Sequence, residues 1–230
     1  MTNLQQIKWH VSNDAAAVAR DASDRIIHEA RNAIGDRGVF KVVLAGGSTP
    51  QQTYRYLARG DSDWSRWQLY LGDERCVEAE DPLRNSVMIR DTLLSHVAIP
   101  QQQVHFIHAD QGFDNAIEDY EKKVRRARPF DLVMLGMGDD GHTASLFPGN
   151  EYDKPSELVA VDNSPFEPAE RISLSYAALN DARKVMVLIA GAGKRETVQR
   201  WLDGEDLPIS RITGLHGIDV YIDREAYPCD

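Results

Sequence analysis

Apolar runs of strand length, each stopped by a turn and followed by a segment with helical spacing, recur along this chain. The most informative of these units is Phe130-Asp-Leu-Val-Met-Leu-Gly-Met-Gly-Asp-Asp-Gly-His-Thr-Ala-Ser-Leu-Phe-Pro-Gly149. There an apolar run ends in glycines, two acids and a histidine, and a short helix-like run follows. Strands that read as continuous apolar runs are buried on both faces, and strands joined through helices lie parallel. The alternation predicts an α/β fold of three layers, αβα, around a mostly parallel, Rossmann-like central sheet. In such a sheet ligands bind at the carboxyl ends of the strands.

In chain order, Ile7 to Val11 reads as an edge strand. Asn13 or Asp14 caps a long amphipathic helix with apolar positions at Val18, Ala22, Ile26, Ile27, Ala30 and Ile34, and Gly35 and Gly38 close it. Phe40 to Ala45 is a buried strand, followed by a helix from Gln51 to Ala58. Strand Trp67 to Leu71 precedes a helix from Ser86 to Val97. The short strand Val104 to Ile107 precedes a charged helix from Asp114 to Arg126. After the central strand, Phe130 to Leu135, come strands Leu158 to Val161 and Arg171 to Tyr176, joined by the proline-rich Ser164 to Pro168, a candidate lid. Lys184 to Ala190 is a further buried strand, Arg195 to Leu202 a helix, and Ile218 to Ile222 ends the sheet. No composition shift marks a boundary, so residues 1–230 read as one domain.

The charge balance narrows the partners. A net charge of −10 argues against nucleic acid, whose phosphates select basic surfaces. It permits a small anionic ligand if the chain builds a local cationic pocket. The first residues, Met-Thr-Asn-Leu-Gln-Gln, lack a basic stretch followed by an apolar one, so secretion is not expected. No apolar run reaches the length of a membrane span. With two cysteines far apart, Cys76 and Cys229, a reducing cytoplasm with free thiols is the expectation. A monomer or a homodimer fits equally.

Four turns after strands carry the chemistry. In Leu44-Ala-Gly-Gly-Ser-Thr-Pro50, Gly46 and Gly47 allow a tight turn, Ser48 or Thr49 can cap, and Pro50 suits the first helical position. Such a helix start offers free N–H groups and hydroxyls to an anion, although a plain strand-to-helix turn uses the same caps. It is not a P-loop, which needs a lysine at another spacing. In Leu71-Gly-Asp-Glu-Arg-Cys76, Asp73 and Arg75 project into the same strand-end crevice, unless this is an ordinary charged loop. The third turn, Gly136-Met-Gly-Asp-Asp-Gly141, matches G-x-G-x-x-G, with Asp162 about twenty residues on. Yet Asp139 and Asp140 occupy the place of a pyrophosphate, and the next helix is too short for a βαβ crossover. A nicotinamide cofactor is therefore not expected. What remains is His142, with Thr143 and Ser145 beside it. The acids would favour its protonated form, and a helix N-terminus the neutral one. The fourth turn, Ala190-Gly-Ala-Gly-Lys194, brings Lys194 to the sheet edge, and Arg171 opens another strand. Both are either anion ligands or solvated surface cations.

Together these residues fit a sugar-phosphate enzyme. At this point the chain resembles the 6-phosphogluconolactonases. The resemblance lies in Ala45-Gly-Gly-Ser-Thr-Pro50, Gly72-Asp-Glu-Arg-Cys-Val77 with Asn85 downstream, the long Phe130 to Gly149 block, Arg171-Ile-Ser-Leu-Ser and Gly191-Ala-Gly-Lys194, in family order. It implies hydrolysis of 6-phospho-D-glucono-1,5-lactone. His142 would act as general base, Arg75 would steady the oxyanion, and Asp73 would fix Arg75 or a substrate hydroxyl. Gly46, Gly47, Ser48, Thr49, Arg171 and Lys194 would hold the phosphate. No metal-ligand spacing such as H-E-x-x-H and no G-x-S-x-G serine is present, so neither metal nor cofactor nor acyl-enzyme is expected. The related glucosamine-6-phosphate deaminases have Asp-Glu-Tyr where this chain has Asp73-Glu-Arg75. A deaminase or isomerase, a non-catalytic sugar-phosphate sensor and a dehydrogenase remain as alternatives.

Overall fold

The computed structural model describes residues 7–152 and 156–228. The first six residues and Cys229, on which the expectations about secretion and a second thiol rest, lie outside this range. The order is β1 (Ile7–Ser12), α1 (Ala15–Arg37), β2 (Phe40–Leu44), α2 (Ser48–Leu57), β3 (Trp67–Leu71), β4 (Asp73–Arg75), α3 (Asn85–Thr92), β5 (Val104–His105) and α4 (Phe113–Ala127). There follow β6 (Phe130–Gly136), β7 (Leu158–Val161), β8 (Arg171–Leu174), α5 (Tyr176–Asn180), β9 (Ala182–Ile189), α6 (Arg195–Leu202) and β10 (Ile218–Asp223).

Seven strands form one sheet in the order β1-β10-β9-β6-β2-β3-β5, with every pairing parallel. From β2 the chain winds outward through β3 to β5, and from β6 it winds the other way through β9 to β10. The order therefore reverses between β2 and β6, and their carboxyl ends open a crevice. β6 is buried from Phe130 to Leu135, as its apolar run requires. The long first helix forms as its sequence predicts. Asp14 accepts the N–H of Ala17 at 2.8 Å, Val18, Ala22, Ile26 and Ala30 are buried, and Gly38 closes the end at φ 74°. Gly35 lies inside the helix rather than after it.

Three expectations need correction. β7 and β8 do not join the main sheet; they pair antiparallel with β4 in a second sheet, order β4-β8-β7. Only residues 162–170 link β7 to β8, too few for the crossover that parallel strands need. No helix follows His142. Thr143 and Leu146 exchange backbone hydrogen bonds across a tight turn, and Thr143 Oγ1 donates to the Gly136 carbonyl at 2.9 Å. Helix α3 also stops before Val97, because the helical path breaks at buried Leu93 and a 3-10 turn follows.

Candidate active site

Two buried tyrosines pin the strand ends that border the crevice. The Tyr54 hydroxyl accepts the N–H of Ala45 and donates to its carbonyl, at 2.9 and 2.8 Å. Tyr120 does the same to Leu71, at 2.6 and 3.0 Å. Burial pushes both phenols far above their ordinary range, so they stay neutral donors. The strand ends are thereby satisfied without a neighbouring ladder, and the chain is free to turn. Neither tyrosine was singled out from sequence, where each reads as one more apolar position of a helix.

After β2, Gly47 caps α2 with φ 103°, a conformation that favours glycine. Ser48 and Thr49, expected as caps, are the first helical residues instead, and no side chain caps this end. Both residues line the crevice at the positive end of the helix. Gly46 is fixed by packing: a β-carbon there would lie 2.1 Å from Asn85 Oδ1.

Asn85 in turn donates from Nδ2 to the carbonyl and to Oδ1 of Asp73, both at 3.0 Å. Ser145 Oγ donates to Asp73 Oδ2 at 2.6 Å. Asp73 is therefore held by Asn85 and Ser145, and the Arg75 guanidinium donates to the Leu83 carbonyl. Glu74, fully buried, accepts the backbone N–H groups of Arg75, Asn85 and Ser86 and lies 3.4 Å from Arg84 Nε. It anchors the start of α3, and so Asn85. Sequence reading missed this role; the one available signal is strand alternation, which turns Glu74 inward when Asp73 and Arg75 face the crevice.

After β6, the turn aims His142. Its Nδ1 lies 2.6 Å from Asp140 Oδ1, which also accepts the His142 N–H at 3.0 Å. Burial pushes the Asp140 carboxyl up, but the hydrogen bonds and charge of His142 outweigh it and leave the group below the usual carboxylate range. With an ionised acceptor on Nδ1, the proton of a neutral imidazole sits there and Nε2 keeps its lone pair. A β-carbon on Gly138 would lie 2.0 Å from His142 Nδ1, so only glycine admits the ring. Phe147 and Phe166 pack around the imidazole, with centroids 4.8 and 5.6 Å away. Phe166 belongs to the segment between β7 and β8, so that proline-rich link borders the site.

Arg171, 5% exposed, donates to the carbonyls of Pro168 and Phe166, both at 3.0 Å. It pairs in register with Arg75. Burial pushes its guanidinium below its ordinary value, the Arg75 charge adds to this, and Asp73 opposes it. Two cations held side by side at a crevice favour an anion between or beside them. Lys194 Nζ meets Asp139 Oδ1 at 2.5 Å. Gly46, Gly47, Ser48, Thr49, Asp73, Arg75, His142, Arg171 and Lys194 all line one cleft of about 240 Å³. Among the described residues, no group of three or more His, Cys, Asp or Glu is placed to hold a metal ion, and no helix is long and apolar enough to cross a membrane.

A parallel sheet whose switch-point crevice gathers cations, a helix N-terminus and an Asp–His pair is the build of an α/β enzyme for a small anionic molecule. The chain belongs to the glucosamine-6-phosphate isomerase/6-phosphogluconolactonase family, whose model matches residues 13–220. It is 34% identical over 232 residues to the 6-phosphogluconolactonase of Mycobacterium tuberculosis, covering 93% of this chain and 94% of that protein. The crystal structure of 6-phosphogluconolactonase from Thermotoga maritima superposes with a TM-score of 0.90 at 29% identity, over 95% of this chain and 100% of that one. The 6-phosphogluconolactonase from Trypanosoma brucei gives a TM-score of 0.82 at 26% identity, over 96% and 98%.

Proposed function

We propose that this chain hydrolyses 6-phospho-D-glucono-1,5-lactone to 6-phospho-D-gluconate, with water activated by His142 and no step routed through a metal. The observation that carries the reading is the Asp140–His142 pair at 2.6 Å, in the same cleft as Arg171 and Lys194. The phosphate sits on the amides and hydroxyls of Gly46, Gly47, Ser48 and Thr49, with Arg171 and Lys194 as its cations. Binding it there places the lactone carbonyl against the imidazole, so a group remote from the reaction positions the carbon that reacts.

His142 Nε2 takes a proton from water as the oxygen attacks C1. Asp140 steadies the imidazolium that forms and holds the ring in place. Arg75 stabilises the tetrahedral oxyanion, a contribution of about 10² to 10³-fold for one such donor. The intermediate collapses by breaking the bond from C1 to the ring oxygen, and that oxygen takes the proton back from His142. The new carboxylic acid then ionises to solvent. Asp73, held on both oxygens, presents a fixed acceptor to a sugar hydroxyl.

The test is hydrolysis of freshly generated lactone, measured above the spontaneous rate. His142→Ala should lower kcat by about 10² to 10⁴-fold. Turnover near wild type in His142→Ala would remove the assignment. Release of ammonia from glucosamine 6-phosphate would favour a deaminase instead.

A further inference from the structure

We propose that Asp139 competes with the ligand's phosphate for Lys194, and so limits how tightly phosphorylated molecules are held. The proposal rests on the reading of Lys194 as a phosphate cation. Lys194 Nζ lies 2.5 Å from Asp139 Oδ1, so its ammonium has a partner before any ligand arrives. The main chain of Asp139 is fixed, because the buried Thr197 of α6 donates its hydroxyl to the Asp139 carbonyl. The carboxylate itself is 74% exposed, against 25% for the lysine side chain. A fixed backbone thus delivers a solvated carboxylate to Lys194, a partly exposed cation of the cleft that follows β9. Exposed pairs of this kind are weak, and a phosphate offers the ammonium more charge and more acceptors. Asp139 does not line the cleft. It acts through Lys194, while the next residue, Asp140, is committed to His142.

The chemistry gives the arrangement a use. Opening the lactone adds a carboxylate to a molecule that already carries a phosphate, so the product is more anionic than the substrate. A pocket built from Arg171, Lys194 and the amino end of α2 would hold that product, and free phosphate as well. A carboxylate tethered beside Lys194 takes the ammonium back as the phosphate leaves. It lowers the affinity for bare anions and shortens the stay of the product, a step that often limits turnover.

The experiment measures KM for the lactone and the inhibition constant of inorganic phosphate in Asp139→Asn and Asp139→Ala, each alone and combined with Lys194→Met. Both constants should fall together, on the order of two- to five-fold, the scale of one exposed ion pair. Asp139→Glu should keep them near wild type. With Lys194→Met present, the effect of Asp139→Asn should shrink. A rise in KM for Asp139→Asn would overturn the proposal, since Asp139 would then be positioning Lys194 for the phosphate. A fall that persists undiminished without Lys194 would overturn it too, by showing simple repulsion. If Lys194→Met alone leaves both constants unchanged, the phosphate role of Lys194 fails first, and the competition falls with it.

Discussion

At Gly138 a single hydrogen decides whether the imidazole fits. The backbone there needs no unusual conformation, so alanine is excluded by the site itself: His142 Nδ1 lies 2.0 Å and Asp140 Oδ1 2.7 Å from the missing β-carbon. Gly138→Ala should therefore displace the ring while the sheet stands. We expect kcat/KM to drop by about 10²-fold or more, the usual cost of a misplacement near 1 Å, with an unchanged far-ultraviolet spectrum. Wild-type turnover in this variant would mean that the chemistry happens elsewhere. Gly138 also shows what was legible at this scale. Glycines, acids and the histidine at the end of an apolar run mark a crevice on sight, and every site residue named from sequence does line it. Which residue holds which was not legible. Asp73 is bonded to Ser145, 72 positions along the chain, and nothing local announces that contact. Nor does anything local show that Arg75 turns to the Leu83 carbonyl rather than to Asp73.

Among the elements, the parallel strands were read well because burial on both faces writes itself as an apolar run. β7 and β8 carry the same apolar signature, yet they serve the small antiparallel sheet. The signal that separates them is the length of the link, not the strands themselves. That small sheet is what brings Arg171 beside Arg75. The edge strand β5 offers a test of a different kind. His105 stacks on Tyr70 at 4.5 Å. Burial and the Lys123 charge push its imidazole below the ordinary value of 6.5, with Asp119 opposing. The folded state thus prefers the neutral ring, while the unfolded chain takes up a proton near the ordinary value. Its contribution to stability is complete above about pH 6.5 and is lost as pH falls toward the lower folded value. His105→Phe should accordingly flatten part of the loss in urea midpoint between neutral and mildly acid pH. A variant whose midpoint falls as steeply as wild type would remove His105 from the account.

Over the whole molecule, one cluster of buried apolar side chains runs from Val18 on the first helix to Ala226 beyond the last strand. Both strands bordering the crevice belong to it, so the site is built directly on that cluster. We expect one cooperative thermal transition, with calorimetric and van't Hoff enthalpies in agreement. Two resolved transitions would show that the chain divides. The pairing of β1 with β10 has a further consequence, for birth on the ribosome. Ile7 lies beside Ile218, and the register holds through Ser12 and Asp223. At roughly 5–20 residues per second, the first strand waits on the order of 10 to 40 s before its neighbour has been synthesised. For most of that interval Trp9 lacks Trp201, and for all of it Tyr227, the two rings it packs against in the folded chain. The edge of β1 thus stays open to chaperones on a nascent chain until β10 has emerged.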